Sequence, residues 1–357
     1  DGTPVVETRL RVPDGDAVQR VWAVPELGGL TVIEVENESP LPIAVAFAGD
    51  RVLTERPPAD VPIDGIELPA DAIVLPVGHR AVVRVAVPED PGRIGHWALP
   101  RLQPWTAVVA GWTTTVDRAS RLRLPDDGLV DAVVAARSDL LLAGPVDGDD
   151  PVGFLFDVAE LVRLGDPADA WLPEVVEPVA AIAKRRGADV DAALVAVERL
   201  AVGAGDERAA ADLARVRDRR RRGGRHDATT SAPTPLSAIE RGVSVGRFVH
   251  EVERLIADEG RLLTTGIPRR WLGANFEVHD VPTGPRSTVS FAIRWHGERP
   301  AVLWEQTGTP TELSAPALDP SCRMRAAAAE ALCAAPPTPT RLGVTVGRQQ
   351  VGLLARR

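Results

Sequence analysis

The sequence predicts an α+β multidomain protein, with an N-terminal antiparallel β-sandwich, helical hairpins in the middle and a C-terminal antiparallel β-domain. Three observations predict it. Short Val- and Ile-rich runs, separated by turn residues, fill positions 1–112. Apolar residues recur at helical spacing between 126 and 222. Strand-like runs return from position 261 onward.

In the first region the runs are Val5–Val12, Val18–Val24, Leu30–Glu36, Ile43–Ala48, Ile73–Leu75 and Ala81–Val87. Pro13-Asp14-Gly15-Asp16, Gly28-Gly29, Asn37-Glu38-Ser39-Pro40 and Asp64-Gly65 punctuate them. Several short strands with turn signals between them read as a sandwich. Thr31–Glu36 alternates polar and apolar residues, as a half-buried strand does.

Leu122–Asp127 is an extended lead-in that ends at a helix cap. Helices are predicted over Leu129–Ala143, Pro151–Leu164, Leu172–Arg186, Val190–Val202 and Glu207–Arg222. Gly165-Asp166-Pro167, Gly187-Ala188-Asp189 and Gly203-Ala204-Gly205 each stop one helix and start the next. This gives a helical domain over 113–218. Residues 219–236, arginine-dense and then rich in Thr and Pro, read as a flexible linker, with a partner-binding basic arm as the sharper alternative. The segment 237–357 holds one more helix, Val245–Asp258, and the C-terminal β-domain. Its strands are expected at Arg261–Thr264, Asn275–Val281, Thr288–His296, Ala301–Glu305 and Thr311–Ala315, with two more at Leu342–Val346 and Gln350–Leu354. Gly297-Glu298-Arg299-Pro300 supplies a hairpin turn.

Bulk composition narrows the function. A formal charge of −9 argues against a general nucleic-acid binder, because phosphate binding needs a positive field. No run of about 18 apolar residues occurs, so no membrane span is expected. Asp1-Gly2-Thr3-Pro4 has no basic stretch leading into an apolar one, and a cytoplasmic location is the expectation, although Asp1 reads as a trimmed start. Lys184 is the only lysine, so arginine is the default cation and an Arg cluster says less than usual. Cys322 and Cys333 read as incidental thiols. The histidines His79, His96, His226, His250, His279 and His296 are scattered without ligand spacing, so neither a metal nor a cofactor is expected. Gly242-Val243-Ser244-Val245-Gly246 has the letters of a nucleophile elbow but opens a helix straight after a linker, without the preceding strand an elbow requires.

The C-terminal third is the most specific. Gly266-Ile267-Pro268 leads through Arg269-Arg270 to Trp271-Leu272-Gly273, then Val281-Pro282-Thr283-Gly284-Pro285 and a strand, Thr288–Trp295, that ends in Trp. This wording resembles the C-terminal β-domain of bacterial glycosidases built on an (α/α)6 toroid, the six-hairpin group. Ser138–Leu142 and Gly153–Gly165 resemble toroid helices more loosely. The resemblance implies a sugar-related protein, but the helical stretch is too short for a full toroid of twelve helices. The expectation is therefore an incomplete toroid in a reduced, non-catalytic relative that binds carbohydrate. An active glycoside hydrolase and a scaffold protein are the alternatives, and the oligomeric state stays open.

Glycoside hydrolysis needs two carboxylates. Asp157 with Glu160, and Glu174 with Glu177, stand three apart on predicted helices and are the candidate catalytic pairs. The competing reading is a solvated helix face. Sugars stack on exposed aromatic planes, which makes Trp97, Trp105, Trp112 and Trp295 the candidate ligand-binding residues. The competing reading there is packing between domains.

Overall fold

The computed structural model describes residues 2–48, 52–55, 72–90, 99–223 and 244–335. The chain is α+β, as the sequence predicts. Strands β1 (Val6–Val12), β2 (Gly15–Val24), β3 (Leu30–Asn37), β4 (Ile43–Phe47), β5 (Leu53–Thr54), β6 (Ile73–Val77) and β7 (Val82–Pro88) open it. They form an antiparallel sheet in the order β1-β2-β3-β7-β5 and a β4-β6 pair. The alternation read in β3 is used on both faces. Ile33 and Val35 join Leu75, Val77, Val83, Val85, Ile43 and Val45 between the two sheets. Leu30 and Val32 point the other way and pack with Trp22, Val24, Leu53 and the side chains of Trp105 and Val108.

Those last two residues lie on helix α1 (Trp105–Val116), so ending the β region at 112 is corrected. The Trp, Val and Thr residues of 105–115 carry strand propensity, but burial of one helical face against the sheet outweighs it. Pro104 stands just before the helix, where no N–H is needed.

The middle comprises β8 (Arg121–Arg123), α2 (Asp127–Ala143), α3 (Pro151–Leu164), α4 (Ala168–Trp171), α5 (Val176–Ile182), α6 (Ala188–Gly203), α7 (Glu207–Arg222) and α8 (Val245–Ile256). The helix expected over 172–186 is cut to α5 (Val176–Ile182), with the short α4 before it; Pro173 falls in the break between them, and Pro178 sits in the first turn of α5, where an N–H has no helical partner. Residues 219–222, expected in the linker, are the last turn of α7. There Arg220 is 2% exposed and binds Asp191 at 2.6 Å and the carbonyls of Ala183 and Arg185 at 3.0 and 2.5 Å. The linker segment 224–236 lies outside the described residues.

The C-terminal part holds β9 (Ala257–Asp258), β10 (Arg261–Leu262), β11 (Phe276–Gly284), β12 (Ser287–His296), β13 (Arg299–Gly308), β14 (Leu313–Ser314), β15 (Arg323–Met324) and β16 (Ala328–Leu332). One sheet runs β16-β13-β12-β11-β8 and a smaller one runs β15-β14-β10-β9. The expected β12–β13 hairpin turns at Gly297-Glu298, with Gly297 at φ +64°, a left-handed conformation natural to glycine. The lead-in at 122 is a strand: Leu122 pairs with Val278, so β8 completes a sheet whose other strands come after all the helices. Val133 and Ala136 of α2 and Phe248, Val249 and Val252 of α8 bury against Phe276, Val278, Phe291 and Ile293 of this sheet. The strands expected at 342–346 and 350–354 lie outside the described residues.

Candidate functional site

Helix α3 places Asp157 and Glu160 in the interior, at 1% and 4% exposure. Asp157 accepts from the Ser244 hydroxyl at 2.9 Å and from the backbone N–H groups of Gly246 and Val146 at 2.6 and 3.0 Å. Burial pushes its carboxyl above the ordinary aspartate value, against the pull of these donors. Ser244 is the N-cap of α8 and accepts from the Arg247 N–H at 3.2 Å. Asp157 thus ties the start of α8 to α3. Glu174 and Glu177 are exposed.

Glu160 belongs to a buried ion cluster. Arg137 of α2 donates to Glu160 at 2.7 Å and lies 3.2 Å from Glu253 of α8. Arg163 of α3 binds Glu160 at 2.6 Å and Glu253 at 2.7 Å. The Ser120 hydroxyl donates to Glu253 at 2.6 Å, and the Ser120 carbonyl accepts from Arg137 at 2.6 Å. Burial alone would raise the Glu253 carboxyl, but the guanidiniums of Arg163 and Arg137 outweigh it and hold it at about 2. Two cations, two anions and a hydroxyl therefore join α2, α3, α8 and the segment entering β8. Each charged side chain of the cluster has a partner of opposite charge.

Beside this cluster, α6, α7, α8 and the β11–β12 turn enclose a cleft of about 650 Å³. Glu253 and His250 of α8 reach it from one side, and Arg199 of α6 from another. Thr283, Ser287, Thr309 and Thr311 line the sheet side, with the Thr283 hydroxyl donating to Ser287 Oγ at 3.1 Å. His250 stacks on Phe156 with ring centroids 4.7 Å apart. Its burial, together with the nearby Arg254, Arg199 and Arg163, pushes the imidazole down to about 3, so it is neutral at ordinary pH. Its Nε2 is buried and has no hydrogen-bond partner among the described residues.

The candidate tryptophans stand elsewhere. Trp105 is half-buried on α1, with the Arg20 guanidinium 4.7 Å above its ring, a cation–π contact that holds the helix to the sheet. Trp112 is half-buried on the same helix. Trp295 packs on the C-terminal core beside Ile293, on the face that strand alternation predicts. Trp97 lies outside the described residues. Among the described residues, no tryptophan lines the cleft.

Sequence reasoning passed over Arg137, Glu253 and Arg199. Glu253 stands four residues after Val249, inside the apolar stripe of α8, and Arg137 four after Val133 on α2. A charge on the buried stripe of an amphipathic helix was the available signal. Arg199 carried no such mark, since its neighbours in the cleft come from α8 and the β11–β12 turn.

Fold and site together define an α+β protein with a polar cleft between its helical layer and its C-terminal sheet. No protein-family model matches the chain, and no curated protein and no solved structure matches it.

Proposed function

We propose that this chain is a non-catalytic, glycosidase-like binding protein that holds a small hydroxyl-rich ligand of carbohydrate type in the cleft. One observation carries the reading. The cleft offers hydroxyls and guanidiniums at its wall, while each of its carboxylates is engaged by an arginine. Glu253 is bound by Arg163 and Arg137, Asp258 lies 3.3 Å from Arg254, Asp191 lies 2.6 Å from Arg220 and Glu259 lies 3.6 Å from Arg221. Donors and acceptors so placed can bind sugar hydroxyls. Glycoside cleavage asks for a carboxylic acid and a separate free carboxylate across the bond.

One feature favours hydrolysis as a second reading: burial pushes the Asp258 carboxyl up, against the pull of Arg254, in the direction a general acid needs. A glycan array and a panel of chromogenic glycosides separate the two. The expected result is saturable binding on the array and no release of chromophore. Turnover that disappears in Asp258→Asn would replace the binding reading with the enzymatic one.

A further inference from the structure

We propose that the cleft recognises its ligand through an anionic group, a carboxylate or a phosphate, seated on Arg199 and His250. This rests on the binding reading above and names the chemistry of the ligand. Arg199 donates through Nε and Nη2 to a single acceptor, the Gly284 carbonyl, at 3.3 and 3.0 Å. It has no ion-pair partner among the described residues. The other arginines of the cleft are matched: Arg254 by Glu251 and Asp258, Arg217 by Glu198 at 2.9 Å, Arg221 by Glu259, and Arg286 by both oxygens of Glu207.

The carboxylates nearest Arg199 are each committed to another arginine: Glu160 and Glu253 to Arg137 and Arg163, and Glu198 to Arg217. Confinement works against the Arg199 cation, with Arg163 adding repulsion, and brings its guanidinium down to about 10. An incoming anion would give Arg199 the ion-pair partner it lacks, accept from its uncommitted Nη1, and give His250 Nε2–H an acceptor. Such charge-assisted contacts are about twice as strong as neutral hydrogen bonds. Thr283 and Ser287, whose hydroxyls bond one another at 3.1 Å, and Thr309 and Thr311 stand on the same wall for the neutral remainder of the ligand.

The test is calorimetric titration of the full chain with glucose, glucuronate, glucose 6-phosphate and inorganic phosphate. At least one acidic sugar should bind about tenfold or more tightly than glucose, the fold-change expected when one charge-assisted contact is added. Arg199→Gln should erase that difference, and Arg199→Lys should keep part of it; melting curves of both variants verify that they fold. Equal binding of neutral and acidic sugars, or an acid preference that survives in Arg199→Gln, overturns the anion inference and leaves the binding reading standing. Binding of inorganic phosphate without any sugar keeps the anion site and overturns the carbohydrate reading. Silence from all four probes overturns both. Preference for glucuronate or for the phosphate ester decides which anion the site fits.

A separate observation assigns a covalent modification. We infer that Cys322 and Cys333 form a disulfide-competent pair. Their Sγ atoms lie 3.0 Å apart in the interior, at 9% and 3% exposure. The backbone holds them there independently of the sulfurs. Asp319 accepts from the N–H of Cys322 through its carbonyl at 3.0 Å and from the N–H of Ala334 through its carboxylate at 2.9 Å, and the Cys333 N–H donates to the Pro300 carbonyl at 2.9 Å. Oxidation removes one proton and one electron from each thiol and joins the sulfurs, while a small-molecule disulfide such as oxidised glutathione is cleaved to two thiols. Because both sulfurs are buried in the folded chain, closure belongs to folding.

Refolding from denaturant with oxidised glutathione should yield protein lighter by two hydrogen atoms, with no thiol open to alkylation in denaturant and a higher melting temperature than the reduced form. Cys322→Ser should keep one alkylatable thiol or carry it as a mixed disulfide. Two free thiols after oxidative refolding to the native melting profile would overturn the assignment.

Discussion

Replacing Glu253 with alanine should destabilise the protein by about 3–5 kcal/mol, the largest loss expected from any single side chain here. The residue is 3% exposed, and its carboxylate answers Arg163, Arg137 and the Ser120 hydroxyl at once. Without it, two buried guanidiniums share only Glu160, and Ser120 loses its acceptor. The desolvation already incurred by the arginines is then uncompensated. A stability of about 5–15 kcal/mol is usual for a folded protein, so a loss of this size consumes much of it. Urea unfolding followed by circular dichroism measures the effect directly. A loss under about 1 kcal/mol would mean that water reaches the cluster and screens it.

The same residue gives the expectation a pH signature. Its folded-state carboxyl sits near 2, below the roughly 4.3 of an unfolded glutamate. Its contribution is present above about 4.3 and is lost as pH falls toward 2. His250, held at about 3 against roughly 6.5 when unfolded, acts in the same direction between those two values. The unfolded chain takes up protons first in both cases, so the urea midpoint should decline steadily below about pH 6.5. In Glu253→Ala the part of the decline below about pH 4.3 should flatten.

Gly246→Ala should cost about 3 kcal/mol or more by forcing two helices apart. A methyl group built on Gly246 would lie 2.3 Å from the Phe156 carbonyl oxygen, 2.4 Å from its carbon and 2.6 Å from the Asp157 nitrogen. All three are backbone atoms of α3, which cannot rotate away as a side chain can. The Gly246 N–H also donates to Asp157 at 2.6 Å, so retreat of α8 would break the contact that anchors its first turn. The closeness of α3 and α8, rather than any special backbone angle, therefore explains this glycine. Thermal unfolding of Gly246→Ala should show a clearly lowered midpoint. Gly203→Ala, with open space around its Cβ position on α6, should match or slightly exceed the parent. Equal midpoints for Gly246→Ala and the parent would mean that α8 can shift without disturbing the core.

The two experiments bear on function through position. Helix α8 carries Glu253 and His250 to the cleft, and its placement depends on Asp157, Ser244 and Gly246 at its start. On the binding function proposed above, a variant that loosens this crossing should weaken ligand binding even though none of the three residues lines the cavity.

Periodicity determined the elements that lie within continuous sequence. Pro151–Leu164 and Glu207–Arg222 run between the residues their caps and apolar spacing mark, because a helix is closed by bonds four residues apart. The β2–β3 and β12–β13 hairpins were legible for the same reason, being formed by neighbouring runs with turn residues between them. Propensity misread α1, whose Val and Thr residues became helical because Trp105 and Val108 bury against a sheet.

The tertiary structure alone decided what meets across long separations. It brought β8 to β11 from 154 to 158 positions away, closed Arg137 and Arg163 on Glu253, and placed Arg199 and His250 on one cleft. It also showed that Asp157 and Glu160, read as a candidate acid pair from their spacing, are held by donors on three other segments. Spacing along a helix specifies which face a carboxylate shares. Whether that face meets water, an arginine or the end of another helix depends on packing of the whole chain, to which distant residues contribute and which no local pattern encodes.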